Sequence, residues 1–357
     1  MTLRFLFSLV ASCLLLLTGC KETTEASGGT SGAALYAYDS TTSQVFVWKD
    51  LGTLYDSTAT LAPTYRISSS LFTKVTALAW GGVCFDSQRG VLYLVSETGT
   101  IVRVSSIRTQ TGSVPSAEVV SFALSNTGRL TNGKFGQVAL DSQNNTLYIT
   151  ENGDSSTQIW VVSGASSQGQ DASVTLQALQ NTSDSGGTGV VAASGVVYGF
   201  FLDGGTVGIE ALTGPRLRRG NASAFGSTDV ILGSLTTLGK YGVLALDTAN
   251  GYLFVGRHNT DAASTAAPIQ VFRTGQFGLS YNQAPYLTLG SATGQPDLRV
   301  LTHAGNRDWL VGLKGTGTVG AGTFYVWKQP MAGSAAKSIL APTGSVVKGV
   351  AIDGNAS

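Results

Sequence analysis

The chain has 357 residues, of which 12% are charged, and 22 Lys and Arg against 21 Asp and Glu leave a formal net charge of +1. That balance excludes the basic surface that a nucleic-acid partner requires. Three cysteines (Cys13, Cys20, Cys84) and two histidines (His258, His303) exclude a disulfide-stapled fold and a His-rich metal centre. The chain begins with a single cation, Arg4, and an apolar run from Phe5 to Leu17. The run is shorter than the ~20 residues a spanning helix needs, so residues 1–19 are expected to be a signal peptide that is removed.

That run ends in Leu17-Thr18-Gly19-Cys20, which resembles the lipobox of bacterial lipoproteins. The resemblance implies that Cys20 becomes the first mature residue and carries diacylglycerol and fatty acid. Lys21, in place of the Asp that retains such proteins at the inner membrane, implies the outer membrane where the cell has one. The expected location is the bacterial cell envelope, with the membrane as partner through the anchor. Residues 20–33, after the lipidated Cys20, are polar and rich in Gly and Ser, a flexible tether of roughly 20 Å root-mean-square span. Once Cys13 leaves with the signal and Cys20 is acylated, Cys84 alone remains, and its apolar neighbours mark it as a small buried hydrophobe.

From residue 34 onward a unit of about 54 residues recurs six times. Its first segment reads GGVCFD to Asp86, GQVALD to Asp141, GVVAAS to Ser194, GVLALD to Asp247, LRVLTH to His303 and KGVAID to Asp353. A second segment carries an apolar pair such as Leu92-Tyr93 or Leu253-Phe254. A third includes QVFVWK (Gln44 to Lys49), QIWVVS (Gln158 to Ser163) and TVGIEA (Thr206 to Ala211). A fourth includes SVTLQAL from Ser173 and DVILGSL from Asp229. Each segment is short, β-branched or aromatic, and bounded by Gly, Ser, Asn or Asp, and none has a sustained helical period. The expected fold is all-β: residues 34–357 form a six-bladed β-propeller with four strands per blade. The chain ends on a first-type strand and the repeat region begins with a second-type one. Pairing the two closes the ring and hides sheet edges.

The recurrent Asp at the end of the first strand (Asp86, Asp141, Asp247, Asp353) heads a polar turn, where Asp bonds its own downstream backbone, and His303 falls in the same column. Trp48, Trp160 and Trp327 are expected to pack between blades. The irregular connections, from second to third strands and from blade to blade, share the other face, where a ligand or protein partner is expected. Candidate binding residues there are Glu97, Glu151, Asp154, Asp203, Arg257, His258 and Lys314. Glu97 and Glu151, with Asp154, offer the oxygen ligands that calcium prefers, although their spacing matches no compact calcium loop. Arg216, Arg218 and Arg219 form a basic cluster expected in a solvated loop on the opposite face.

The GVxxD-turn-LY pattern and third strands such as PIQVF resemble the broad group of NHL, YVTN and SMP-30-like six-bladed propellers. SMP-30-like enzymes bind a divalent ion in the channel through Glu, Asn and Asp. The first strands here begin instead at Gly81, Gly136, Gly189, Gly242, Leu298 and Lys348. There is also no G-x-S-x-G, P-loop or Cys/His metal spacing. The expected function is a non-catalytic binding or assembly module with no cofactor. The alternative is a lactonase-like hydrolase with a divalent ion, such as calcium, at the channel mouth on Glu97 or Glu151.

Overall fold

Apolar side chains alternate along almost every strand, and both phases of the alternation are buried, because each sheet is packed on two sides. In Ala34–Asp39, for example, Leu35 and Ala37 face one neighbouring sheet while Ala34, Tyr36 and Tyr38 face the other. The computed structural model describes residues 32–57, 62–125, 127–153, 157–182, 189–201, 216–231, 241–257, 268–277, 284–290, 298–305, 308–314 and 322–356. Cys20, Asp154, Asp203, His258 and Thr206–Ala211 lie outside them.

Six antiparallel blades form a ring. From the inside outward, blade 1 runs Val347–Asp353, Ala34–Asp39, Gln44–Trp48 and Tyr65–Ser68. Blade 2 runs Leu78–Asp86, Val91–Ser96, Thr100–Val104 and Val119–Leu124; blade 3 runs Lys134–Asp141, Thr146–Asn152, Thr157–Ser163 and Gln177–Thr182. Blade 4 runs Gly189–Ala193, Val196–Phe201, Arg216–Asn221 and Phe225–Ile231; blade 5 runs Tyr241–Asp247, Tyr252–Arg257, Ile269–Arg273 and Leu287–Leu289. Blade 6 runs Val300–His303, Trp309–Lys314, Thr323–Lys328 and Lys337–Leu340. Blade 1 is completed from both termini, with Leu35 opposite Ile352 and Ala37 opposite Val350.

Each junction between neighbouring blades holds its own apolar cluster. The tryptophans pack there as expected. Trp48 meets Phe324 of blade 6 edge-on, with ring centroids 5.4 Å apart. Trp160 lies between blades 2 and 3, and Trp327 between blades 5 and 6.

Two expectations are corrected, and one short element is added to the all-β fold. The third strand of blade 4 is Arg216–Asn221, paired with Val196–Phe201, so the arginine cluster is not a solvated loop. Arg218 is buried at 3% exposure, its long aliphatic stem suiting a strand interior that a charge run does not advertise. The segment from Ser173 divides. Ser173–Val174 pairs in parallel with Val119–Leu124 of blade 2, covering that sheet edge, and the fourth strand of blade 3 starts at Gln177. Finally, the connection from Lys49 contains a short α-helix, Leu51–Asp56, capped by Asp50, which accepts from the Gly52 N–H at 3.0 Å. It buries Leu51 and Leu54 over the junction of blades 6 and 1.

Candidate functional site: the axial cavity

The innermost strands of all six blades surround an axial cavity of about 390 Å³. It reaches the turns after those strands, at Ser87, Gln88, Ser142, Gln143, Thr248 and Asn355. The walls mix apolar and polar surface: Phe85, Leu140, Val191 and Leu246 are partly exposed, and Gln88, Gln143 and Thr302 line the same cavity. This concavity therefore opens at the end of the recurrent Asp turns. Of the residues expected at the opposite end, Asp154, Asp203 and His258 lie outside the described ones.

The Asp column does what the turn chemistry requires. Asp86 Oδ1 accepts from the N–H groups of Gln88 and Arg89 at 3.0 and 3.1 Å, and Asp247 Oδ1 from those of Ala249 and Asn250, both at 3.0 Å. Asp141 accepts from Gln143, Asn144 and, across the blade junction, from the backbone of Ser194 and Gly195. It thus also serves the turn of blade 4, whose own column residue is Ser194. Asp141 is the one carboxylate among the cavity-lining residues, and its oxygens are saturated.

His303 keeps the same role with different atoms. Its Nδ1 accepts from the Gly305 N–H at 3.0 Å, which assigns the proton to Nε2. The ring lies against Phe254, centroids 5.3 Å apart and planes 17° apart. Burial pushes the imidazole down from 6.5 to about 4, opposed by the nearby Asp247. The neutral ring is therefore the folded form near pH 7. Between pH 6.5 and about 4 the unfolded chain binds a proton here that the folded ring does not. This contribution to stability is complete above pH 6.5, is lost as pH falls toward 4, and is flat below. The full shift corresponds to about 3 kcal/mol, which water at the channel mouth reduces to about 1–2 kcal/mol. His303→Asn retains a turn acceptor without titrating, so urea midpoints at pH 7 and pH 4.5 should fall less in the variant than in the native protein. Equal falls would refute the assignment.

Cys84 also lines the cavity and is buried, and desolvation first, then Asp86, pushes its thiol well above the usual range. It is no nucleophile at neutral pH. A Ser–Lys pair lies outside the channel. Lys74 Nζ donates to Ser121 Oγ at 2.8 Å, but it also pairs with Asp171 at 3.2 Å, and Ser121 is 2% exposed. An enclosed hydroxyl beside a paired lysine offers no approach to a substrate.

The candidates from the other end are dispersed among structural contacts. Glu97 is half-buried and pairs with Lys134 and Lys348, both at 3.4 Å, tying blades 1, 2 and 3. Glu151 is a strand residue with 0% exposure. Its Oε1 accepts from Arg129 Nε at 2.6 Å and its Oε2 from Trp160 Nε1 at 2.7 Å. Gly133 leaves room for this carboxylate, since a Cβ there would collide with it. Arg257 is likewise a strand residue, 1% exposed, and Lys314 ends a strand half-buried. Among the described residues no group of three or more His, Cys, Asp or Glu side chains is arranged to hold a metal ion.

No protein-family model matches this sequence, and no curated protein is similar to it in sequence. Solved structures are similar in fold. The propeller in a nidogen/laminin complex superposes with a TM-score of 0.56 at 14% identity, over 91% of this chain and 99% of that one. TolB from Acinetobacter baumannii superposes with a TM-score of 0.52 at 11% identity, over 91% of this chain and 67% of that one. At these identities the likeness is one of fold: the chain is a six-bladed β-propeller.

Proposed function

We propose that this protein is a lipid-anchored, non-catalytic binding module of the bacterial cell envelope that holds a small molecule in its axial cavity. One observation carries the reading: a concave cavity lined by both apolar and polar groups is built from all six innermost strands, and its titratable groups are committed to turns or held neutral. Preformed cavities that combine apolar lining with a few polar groups are the usual form of small-molecule sites. A chain of similar fold is found in a nidogen/laminin complex, although fold alone carries no activity. The anchor rests on Leu17-Thr18-Gly19-Cys20 after a short apolar run, and the polar segment to residue 33 would let the ring stand clear of the bilayer.

Two experiments test the two halves. Metabolic labelling with a fatty-acid analogue should mark the native protein and not Cys20→Ser; equal labelling removes the anchor from the reading. Native mass spectrometry after incubation with a cell-envelope extract should show an adduct on the native ring that Ser142→Trp, which fills the mouth, does not retain. An adduct unaffected by Ser142→Trp would place binding elsewhere.

A further inference from the structure

The column that ends the first strands is acidic in four blades, at Asp86, Asp141, Asp247 and Asp353, and is Ser194 in blade 4. All of these serve their turns or have them served by a neighbour. At His303 the turn bond is preserved by Nδ1. What the histidine adds is a donor. A carboxylate presents only acceptors, whereas a neutral imidazole bonded through Nδ1 presents Nε2–H. His303 is among the residues lining the cavity and is partly exposed, and no described residue accepts from Nε2. The stack on Phe254 fixes the ring plane, so this donor is preorganised and not swung by solvent.

We infer that His303 is a recognition donor of the axial cavity, presenting Nε2–H to a carbonyl-type oxygen on an uncharged ligand. The inference rests on the cavity being the binding site. An apolar part of the ligand would meet the partly exposed Phe85, Leu140, Val191 and Leu246 of the lining. Neutrality follows from the charges at this end of the ring. A cationic group finds Asp141 already saturated, and an anionic group meets the field of Asp141 and Asp247, while Arg89 and Arg108 at the same turns are paired with Asp86 and Asp353. Desolvation keeps the imidazole uncharged near pH 7, so it does not act as an anion clamp.

The test uses the full chain labelled with ¹⁵N-histidine and three probes of similar shape: acetophenone, ethylbenzene and benzoate. Long-range ¹H–¹⁵N spectra should show His303 protonated at Nε2, with acetophenone shifting that nitrogen. Acetophenone should bind about tenfold more tightly than ethylbenzene, the value of one hydrogen bond, and benzoate more weakly than acetophenone. His303→Asp, which carries the residue of four other blades, should reduce the ketone preference to under twofold while ethylbenzene affinity changes less than threefold. If that variant melts early, His303→Ser, the residue of blade 4, takes its place. Equal affinity for ketone and hydrocarbon in the native ring, a preference that survives in the variant, tighter binding of benzoate, or binding of no probe would each overturn the inference. Ketone binding untouched by Ser142→Trp would instead defeat the cavity as the site, whereas loss in that variant with an unchanged preference in His303→Asp defeats the donor alone.

Discussion

Ending the chain at Gly344 should abolish cooperative folding of the ring. The deleted segment supplies the innermost strand of blade 1, which pairs with Ala34–Asp39 from the other end of the described chain. It buries Val347, Val350 and Ile352 at 3%, 1% and 5% exposure. At ~1.5–3 kcal/mol for each fully buried aliphatic side chain, their loss approaches the ~5–15 kcal/mol that a whole domain has in reserve. The same cut removes Asp353, buried and paired with Arg108 of blade 2 through Nε at 2.5 Å and Nη2 at 2.7 Å. It also uncovers the edge of Ala34–Asp39 that Val347–Asp353 pairs with in the intact ring. Thermal unfolding followed by near-ultraviolet circular dichroism should lose its transition, and a synthetic peptide of residues 345–357 should restore it in part. Deleting only Asn355–Ser357 should move the midpoint by less than about 2 °C, an effect within ~0.5 kcal/mol. A full-length-like transition in the chain ending at Gly344 would show that closure from both termini is dispensable.

Glu151→Ala should destabilise the protein by about 3–5 kcal/mol, the range for removing one partner of a buried ion pair. The carboxylate is fully buried and holds three donors: Arg129 Nε, Trp160 Nε1 and, at 3.4 Å, the Leu130 N–H. Arg129 in turn donates to Gly133 O at 2.7 Å and Thr98 O at 3.1 Å and lies 4.3 Å from the centroid of Phe135. The group therefore fixes the connection between blades 2 and 3. Glu151→Gln, which keeps one acceptor oxygen, should lose about 1–2 kcal/mol. Pairing Glu151→Leu with Arg129→Met should recover much of the loss, because no charge is then left buried alone. Urea unfolding of the single and paired variants measures the coupling. If Glu151→Ala unfolds at the native midpoint, or if the losses simply add, the carboxylate is not the structural anchor described here and its candidacy as a ligand contact returns.

The Asp turns and the tryptophan packing were legible because they depend on local or periodic rules. An Asp two or three residues before a backbone N–H bonds it in any protein, and a repeated Trp on equivalent strands faces equivalent neighbours. Glu151 and Arg257 were misplaced on an exposed loop because polarity was taken to mean solvent. Glu151 is buried by Arg129, which lies 22 residues earlier in the chain, and no local rule connects the two. The arginines of Arg216–Asn221 misled for a related reason. A charge run after Gly214-Pro215 has the composition of a loop, but the adjacent strands Val196–Phe201 and Phe225–Ile231 complete its ladder.

By itself, the sequence determined the number of repeats, the four-strand unit, the closure of the ring from both ends and the turn chemistry of each blade. All follow from apolar periodicity and from residues that act on their near neighbours. Only the tertiary structure decided where the concavity opens and which side chains line it. Those depend on how six strands far apart in the chain converge on one axis. The ring also separated two residues of similar appearance in the chain. It enclosed Glu151 with a cation and an indole, and it set His303 beside Phe254 with Nδ1 held by its own turn and Nε2–H left as a donor. Burial and partners assign those roles, and both are properties of the packed ring.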